Sequence, residues 1–346
     1  MIAVLFHGID IFYDEESKNI LNILNDRYAI KPYIVGTMGI TSLFDSGVKG
    51  VELILKRPSE ALSELNGFDS VILILKARSI ETARAFLGII GERTKFDGEI
   101  IGIDINTNSL FEVKPGVSNI KDFFISLGFK EELISGGIDV RTEGDFFVRR
   151  VKGCNPGELL LFGGIVVGKV TSNEVKVYVK DGEVKKISGV EIKNHGLEKI
   201  KNVDIHKIKI DSTPGFETRD SGVIRKIEGE DILFINHDAY SIYKNLSNLK
   251  GAVTVGDDTT RVSGYILKRF GIPLIGIIDG DKDGVMKGEC FYSGSVLFEV
   301  NGDDITGDRI FSEFFKKNQT IKYDFDKLKK DIESYLGKDI LKKTEY

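Results

Sequence analysis

The chain has 346 residues, is 41% hydrophobic and 29% charged, and carries a formal net charge of −5. That length suits two or three domains, and that balance belongs to a globular protein and excludes a disordered one. The acidic excess argues against a surface built throughout to coat nucleic acid, while leaving a local basic face open, and no apolar run approaches the ~20 residues of a membrane span. The apolar start Met1–Phe6 lacks a basic flank and reads as a first buried strand, not a signal peptide. Cys154 and Cys290 lie in separate segments, and the four histidines show no zinc spacing. Both facts fit a reducing cytoplasm without a disulfide framework.

Residues 1–140 alternate strands and helices. Ile2–Phe6 is expected as a strand, Glu15–Asn25 as a helix with Ile20, Leu21 and Leu24 on one face, and Tyr28–Val35 as the next strand. Val51–Leu55, Val71–Leu75 and Ile100–Ile103 are further strands. Ser79 caps a helix to Arg93, and Gly128 stops another over Ser118–Leu127. Such alternation implies a mainly parallel sheet. Its strand ends carry His7-Gly8, Gly36-Thr37-Met38-Gly39, Lys76 and Asp104. A glycine-rich turn after a strand lets backbone N–H groups approach an anion, which makes His7, Gly36 and Thr37 candidate ligand contacts. The alternative is that the glycines serve backbone geometry and His7 is a satisfied buried histidine. No complete dinucleotide fingerprint or phosphate-loop motif is present.

Residues 141–228 change character. Gly157–Val170, Val175–Lys180, Val184–Ile192 and Ile205–Ile210 are rich in Val, Ile and Lys and follow one another without helices. Asp181-Gly182 is a strong hairpin turn. These features predict an antiparallel sheet or small barrel. Between the strands, His195 stands beside Gly196, flanked by two lysines and a glutamate, where it would meet a phosphate or carboxylate or simply line a solvated loop. Asp211–Gly222 is turn-rich and reads as a linker or mobile loop.

The most informative stretch runs from Asp231 to Gly284. Asp231–Ile235, Gly251–Val255 and Pro273–Ile278 are short apolar runs separated by helical segments. That is the pattern of buried parallel strands, whose C-terminal ends form a ligand crevice. Asp238, Asp257, Asp258, Asp279, Asp281 and Asp283 end or closely follow these runs. Clustered carboxylates repel unless a cation neutralises them, and Mg²⁺ or Mn²⁺ prefers such oxygen ligands. The alternative is a set of ordinary acidic turns. Asp279-x-Asp281-x-Asp283-Gly284 also opens like a calcium-binding EF-hand loop, but its twelfth position is Cys290 and a strand precedes it, so that reading fails. Phe291–Val300 is expected as a returning strand pair, and Asp324–Tyr346 as an amphipathic helix with Leu328, Ile332, Tyr335 and Leu336 as its stripe.

The words Gly36-Thr37-Met38-Gly39, Gly157-Glu158-Leu159, Gly164 through Gly168, Ile192 through Lys199, Val255 through Thr260 and Ile278 through Asp281 together resemble an archaeal, methanogen-type family known as domain of unknown function 2117. The resemblance spans all three regions and implies no particular activity. A narrower resemblance covers 231–284, which looks like the Toprim domain of topoisomerases, primases and related nucleases: Asp279-Gly280-Asp281 is similar to its Asp-x-Asp metal motif. Where that fold places a catalytic Glu, this chain has Asn236-His237-Asp238. The resemblance therefore implies metal binding more than nucleotidyl transfer, with Asp238 as a shorter substitute.

The expected architecture is α/β: a Rossmann-like domain over 1–140, a β-rich domain over 141–228, and a Toprim-like acidic α/β domain with a C-terminal helix over 229–346. Two function classes follow. One is a metal-dependent enzyme acting on a phosphorylated small molecule or nucleotide. In it, Asp257, Asp258, Asp279, Asp281 and Asp283 hold the ion, Thr259, Thr260 and Arg261 hold the phosphate, and His237 or Asp238 performs acid/base work. The other is a sensor or assembly protein that binds a nucleotide or cofactor without turnover. A nucleic-acid partner draws no support from the net charge, and oligomeric state is not legible.

Overall fold

The computed structural model describes residues 1–134, 138–213, 215–217, 219, 221–280, 286–287 and 290–346. The chain divides into two units, Met1–Pro214 and Gly215–Tyr346.

In the first unit, seven strands form one sheet: β1 (Ile2–His7), β2 (Ile30–Val35), β3 (Glu52–Leu53), β4 (Ser70–Leu75), β5 (Glu99–Asp104), β6 (Ser109–Lys114) and β7 (Lys130–Glu132). Their order is β3-β2-β1-β4-β5-β6-β7. Strands β1 to β5 run parallel and β6 turns back antiparallel to β5. This is the doubly wound order, with its switch point between β1 and β4. Helices α1 (Glu15–Arg27), α2 (Thr37–Ser46), α3 (Pro58–Glu64), α4 (Ile80–Arg93) and α5 (Ile120–Ser126) belong to the same sheet region. The central strands are largely apolar because a parallel sheet is covered on both faces: all six residues of β4 are buried. Ala3, Leu5, Val71, Leu73, Ala83 and Leu87 share its core.

Eight further strands make two four-stranded antiparallel sheets: β8 (Asp139–Glu143), β9 (Phe146–Val151), β10 (Leu159–Phe162), β11 (Ile165–Val170), β12 (Val175–Lys180), β13 (Glu183–Ser188), β14 (Val190–Ile192) and β15 (Ile210–Thr213). The short helix α6 (Asn194–Glu198) lies between β14 and β15. Strand β12 alternates buried Val175, Val177 and Val179 with half-buried Lys176, Tyr178 and Lys180. The buried set joins Leu160, Phe162, Val167 and Ile210 of the other sheet in one core. Asp181 and Gly182 both have positive φ, 54° and 75°, which is the hairpin turn their sequence predicts. The strand expected over Ile205–Ile210 begins only at Ile210. Before it, the amides of Lys207 and Ile208 donate to the carbonyl of Asp204, a turn that withholds them from a ladder.

The second unit carries β16 (Phe216–Glu217), β17 (Asp231–Asn236), α7 (Ser241–Asn245), β18 (Leu249–Val255), α8 (Asp257–Lys268), β19 (Leu274–Ile278), β20 (Met286–Lys287), β21 (Val296–Val300), α9 (Asp303–Glu313), β22 (Thr320–Lys322), α10 (Phe325–Leu336) and β23 (Ile340–Glu345). Its six-stranded sheet has the order β22-β17-β18-β19-β21-β23, with four central parallel strands and an antiparallel strand at each edge. Val253, Val255, Leu274, Ile275, Ile277 and Ile278 are all buried. Val255 and Ile277 pack with Ile310 of α9 and Leu328 and Ile332 of α10. On the opposite face a Cβ at Gly276 would lie 2.6 Å from Thr260 Cγ2, so α8 sits directly on the strands there. The tail departs from its expected course. Helix α10, capped by Asp324, stops at Leu336, Gly337 turns with φ 48°, and the last residues form an edge strand; Tyr335 is 39% exposed and lies outside the buried stripe. Among the described residues no helix is long and apolar enough to cross a membrane.

Candidate functional site

Strands β17, β18, β19 and β21 end along one edge of the second sheet, with Asn236 paired to Val255, Val255 to Ile277, and Ile278 to Glu299. Two of these strands lead into helices through the same device. Gly256 (φ 93°) and Gly302 (φ 81°) adopt left-handed turns that favour glycine, and each is followed by an aspartate at the first helical position. The words are Gly256-Asp257-Asp258-Thr259-Thr260 and Gly302-Asp303-Asp304-Ile305-Thr306. In both, the first Asp and the last Thr are buried. Thr306 Oγ1 donates to the Gly302 carbonyl at 3.0 Å, and Thr260 Oγ1 lies 2.8 Å from Thr254 Oγ1. The positive ends of α8 and α9 favour negative charge at these positions.

The two words converge with Asp279. Asp257 is 8% exposed and Asp303 is 5% exposed. Burial, a hydrogen bond with Asp279 and the charges of Asp279 and Asp303 push the Asp257 carboxyl up to about 7, against the opposing pull of Arg261. Its Oδ2 is buried without a hydrogen-bond partner among the described residues, as is Oδ1 of Asn236. A Cβ at Gly256 would stand 3.8 Å from Asp303 Oδ2 and 3.8 Å from His237 Cε1, which locates both beside the α8 turn. His237 itself has a positive φ of 54°. Its Nε2 lies 3.2 Å from Asp304 Oδ1, and both side chains are about half exposed. A Cβ at Gly280 would fall 2.9 Å from Glu299 Oε1, so another carboxylate borders the turn after β19.

Of the residues singled out by sequence, Asp257, Asp279 and Arg261 come together, with Asp258 and Thr259 half-buried in the first turn of α8. The Thr260 hydroxyl is engaged in the interior with Thr254. Asp238 is exposed, and its carbonyl accepts from Ser241 Oγ at 2.7 Å. Asp281 and Asp283 lie outside the described residues, as does the side chain of His195 on α6. Asp303, Asp304 and Glu299 are not among the residues expected from sequence; for the two aspartates, the signal is the Gly-Asp-Asp-x-Thr word shared by Gly256–Thr260 and Gly302–Thr306. Among the described residues no three His, Cys, Asp or Glu side chains are arranged to hold a metal ion on their own.

His7, Gly36 and Thr37 gather separately, at the ends of β1 and β2 in the first unit. The His7 ring stacks on Phe86 at 4.7 Å, its Nδ1 lies 3.4 Å from the Val35 carbonyl, and burial lowers its pKa to about 4. It is therefore neutral near pH 7. A Cβ on Gly36 would stand 3.1 Å from Nδ1, so the left-handed glycine there also makes room for the ring.

The family model described as an uncharacterised protein conserved in archaea, domain of unknown function 2117, matches residues 4–318. An uncharacterised protein of Methanocaldococcus jannaschii is 33% identical over 351 residues, covering 93% of each chain. No solved structure gives a significant match. The chain, over nearly its whole length, belongs to this archaeal family, domain of unknown function 2117.

Proposed function

We propose that the crevice at the ends of β17, β18, β19 and β21 binds a divalent cation, Mg²⁺ or Mn²⁺, together with a phosphate-bearing ligand, a phosphorylated small molecule or nucleotide. The observation that supports this most directly is the contact of buried Asp257 with half-buried Asp279, in which one Asp257 oxygen has no hydrogen-bond partner among the described residues. Two carboxylates this close need a shared proton or a cation between them. Mg²⁺ is commonly held by one or two carboxylates and completes its shell with water and ligand phosphate, so a two-carboxylate centre suits it better than an all-protein cage. Arg261 and the N-termini of α8 and α9 supply the positive potential a phosphate needs.

His237, oriented by Asp304, stands at the same mouth and is the candidate for proton transfer in a metal-dependent phosphoryl transfer or hydrolysis. In a Toprim-like reading, this pair would take the place of the acid/base glutamate at the end of the first strand. A sensor would use the same contacts without turnover.

Calorimetry with Mg²⁺ and Mn²⁺ tests the cation. Binding is expected to wild type and to be lost in Asp257→Asn and Asp279→Asn; no binding to wild type at millimolar metal would refute the proposal. A thermal-shift screen of nucleotides and phosphorylated metabolites, with product analysis of each hit, then separates enzyme from sensor. Turnover lost in His237→Ala supports the enzyme, and hits left chemically intact support the sensor.

A further inference from the structure

In the first unit, the chain leaving β9 crosses the start of α4. Thr82 Oγ1 donates to the Gly153 carbonyl at 3.2 Å, and a Cβ on Gly153 would stand 3.1 Å from Thr82 Cα. Beside this contact lies a cavity of about 470 Å³ whose wall carries Arg84, Arg150, Lys152, Asn155 and Asn173. That volume falls within the roughly 300–1,000 Å³ range of small-molecule sites. Glu81 and Glu174 also border it, but each is drawn to an arginine: Arg84 lies 3.8 Å from Glu81, and Arg150 lies 3.5 Å from Glu174. Both pairs are long and have a well-exposed glutamate, and such pairs are weak and exchange readily for a better anion. Arg84 makes a closer bond to Glu132 at 2.5 Å, yet its Nε is buried with no hydrogen-bond partner among the described residues. A buried guanidinium N–H in that state calls for an acceptor.

We propose that this cavity is a second ligand site, for a small phosphate-bearing molecule held by Arg84, Arg150 and Lys152, with Asn173 as a further donor. The donors come from three places, helix α4, the end of β9 and the turn before β12 that holds Asn173, so they approach from different directions. A tetrahedral phosphate with several acceptor oxygens matches that spread better than a planar carboxylate, and the arginine forks add two-point contacts. Cys154 borders the cavity but is buried, with its thiol pushed up to about 11 by burial, so the site binds without covalent chemistry.

The test is calorimetry of the full chain with pyrophosphate and, separately, citrate, both in EDTA, where a cation-dependent site in the second unit is silent. The expected result is saturable binding of pyrophosphate at one site, weakened at least tenfold in Arg150→Gln and in Arg84→Gln. Arg150 is more than half exposed, so its substitution leaves the fold intact even if that of Arg84 does not. No saturable binding, binding indifferent to Arg150, or binding of citrate alone would each overturn the assignment.

Discussion

Replacing Asp257 with asparagine is expected to stabilise the second unit above neutral pH when no metal is present. The Asp257 carboxyl, ordinarily near 3.8, is raised to about 7 in the fold by burial and by Asp279 and Asp303. In the unfolded chain the group gives up its proton near 3.8, whereas the folded state keeps it to about 7. Folding is therefore favoured by this group below the unfolded value, and that contribution is lost as pH rises through the folded one. Each pKa unit corresponds to about 1.4 kcal/mol, so the loss across this window is about 4 kcal/mol. Asparagine keeps the shape and removes the charge. Wild type should thus fall behind Asp257→Asn by a few kcal/mol between pH 5 and pH 8. The chain has two units and need not unfold in one step, so the readout is hydrogen exchange of β18 and β19 peptides against urea, comparing both proteins at each pH in EDTA. A gap that changes by less than about 0.5 kcal/mol between the two pH values, the size of an ordinary surface effect, would refute the reasoning.

Other outcomes follow from the same geometry. Ile277→Ala, at a position with no exposure, should cost about 2–5 kcal/mol, read by exchange in β19. Arg78→Met removes the charged partner 2.7 Å from buried Glu158 and should cost about 2–3 kcal/mol in urea unfolding of the first unit; adding Glu158→Gln should cost less than the sum of the two. His7, with its pKa lowered to about 4, should show a neutral imidazole by NMR down to pH 5.5. Its contribution to stability is present above 6.5 and lost as pH falls toward 4, and an imidazolium seen at pH 6 would contradict this. Gly36→Ala, at φ 89° and hard against His7, should lower the first unit's stability by about 1–3 kcal/mol, seen as an earlier urea midpoint.

Where burial acts on both faces of a strand, the sequence alone was enough: β1, β4, β5, β18 and β19 are apolar runs with no competing reading. Elements set by tertiary contact were harder to see. Helix α2 begins Thr-Met-Gly-Ile-Thr, which looks like a loop. It is held as a helix by burying Ile40 and Leu43, and Gly39 is needed because a Cβ there would lie 3.1 Å from the Gly8 carbonyl. The final strand β23 hid behind its lysines, residues common on exposed edges, which made the whole tail read as one helix. The site divided along the same line. Asp257 and Asp279 follow strands whose apolar character announces them. Asp303 and Asp304 follow β21, whose sequence reads as half of a returning pair, and only the parallel pairing of β21 with β19 brings them to the crevice.

Arg78 follows β4 beside the switch point of the first sheet, where doubly wound folds commonly receive a ligand. Here the chain supplies the occupant. Glu158 accepts from Arg78 at 2.7 Å and from Asn155 Nδ2 at 2.7 Å, and the Ser212 hydroxyl also donates to it; the Arg78 guanidinium lies 3.4 Å from the Ser212 carbonyl as well. In the vocabulary of inhibition, Glu158 is a covalently attached competitor. Its local concentration is fixed by the chain and cannot be diluted, so a free anion would have to outbid a rival in the millimolar range or above to reach Arg78. Titrating ligands against this edge should therefore meet a threshold set by Glu158 itself, one that falls away in Glu158→Gln.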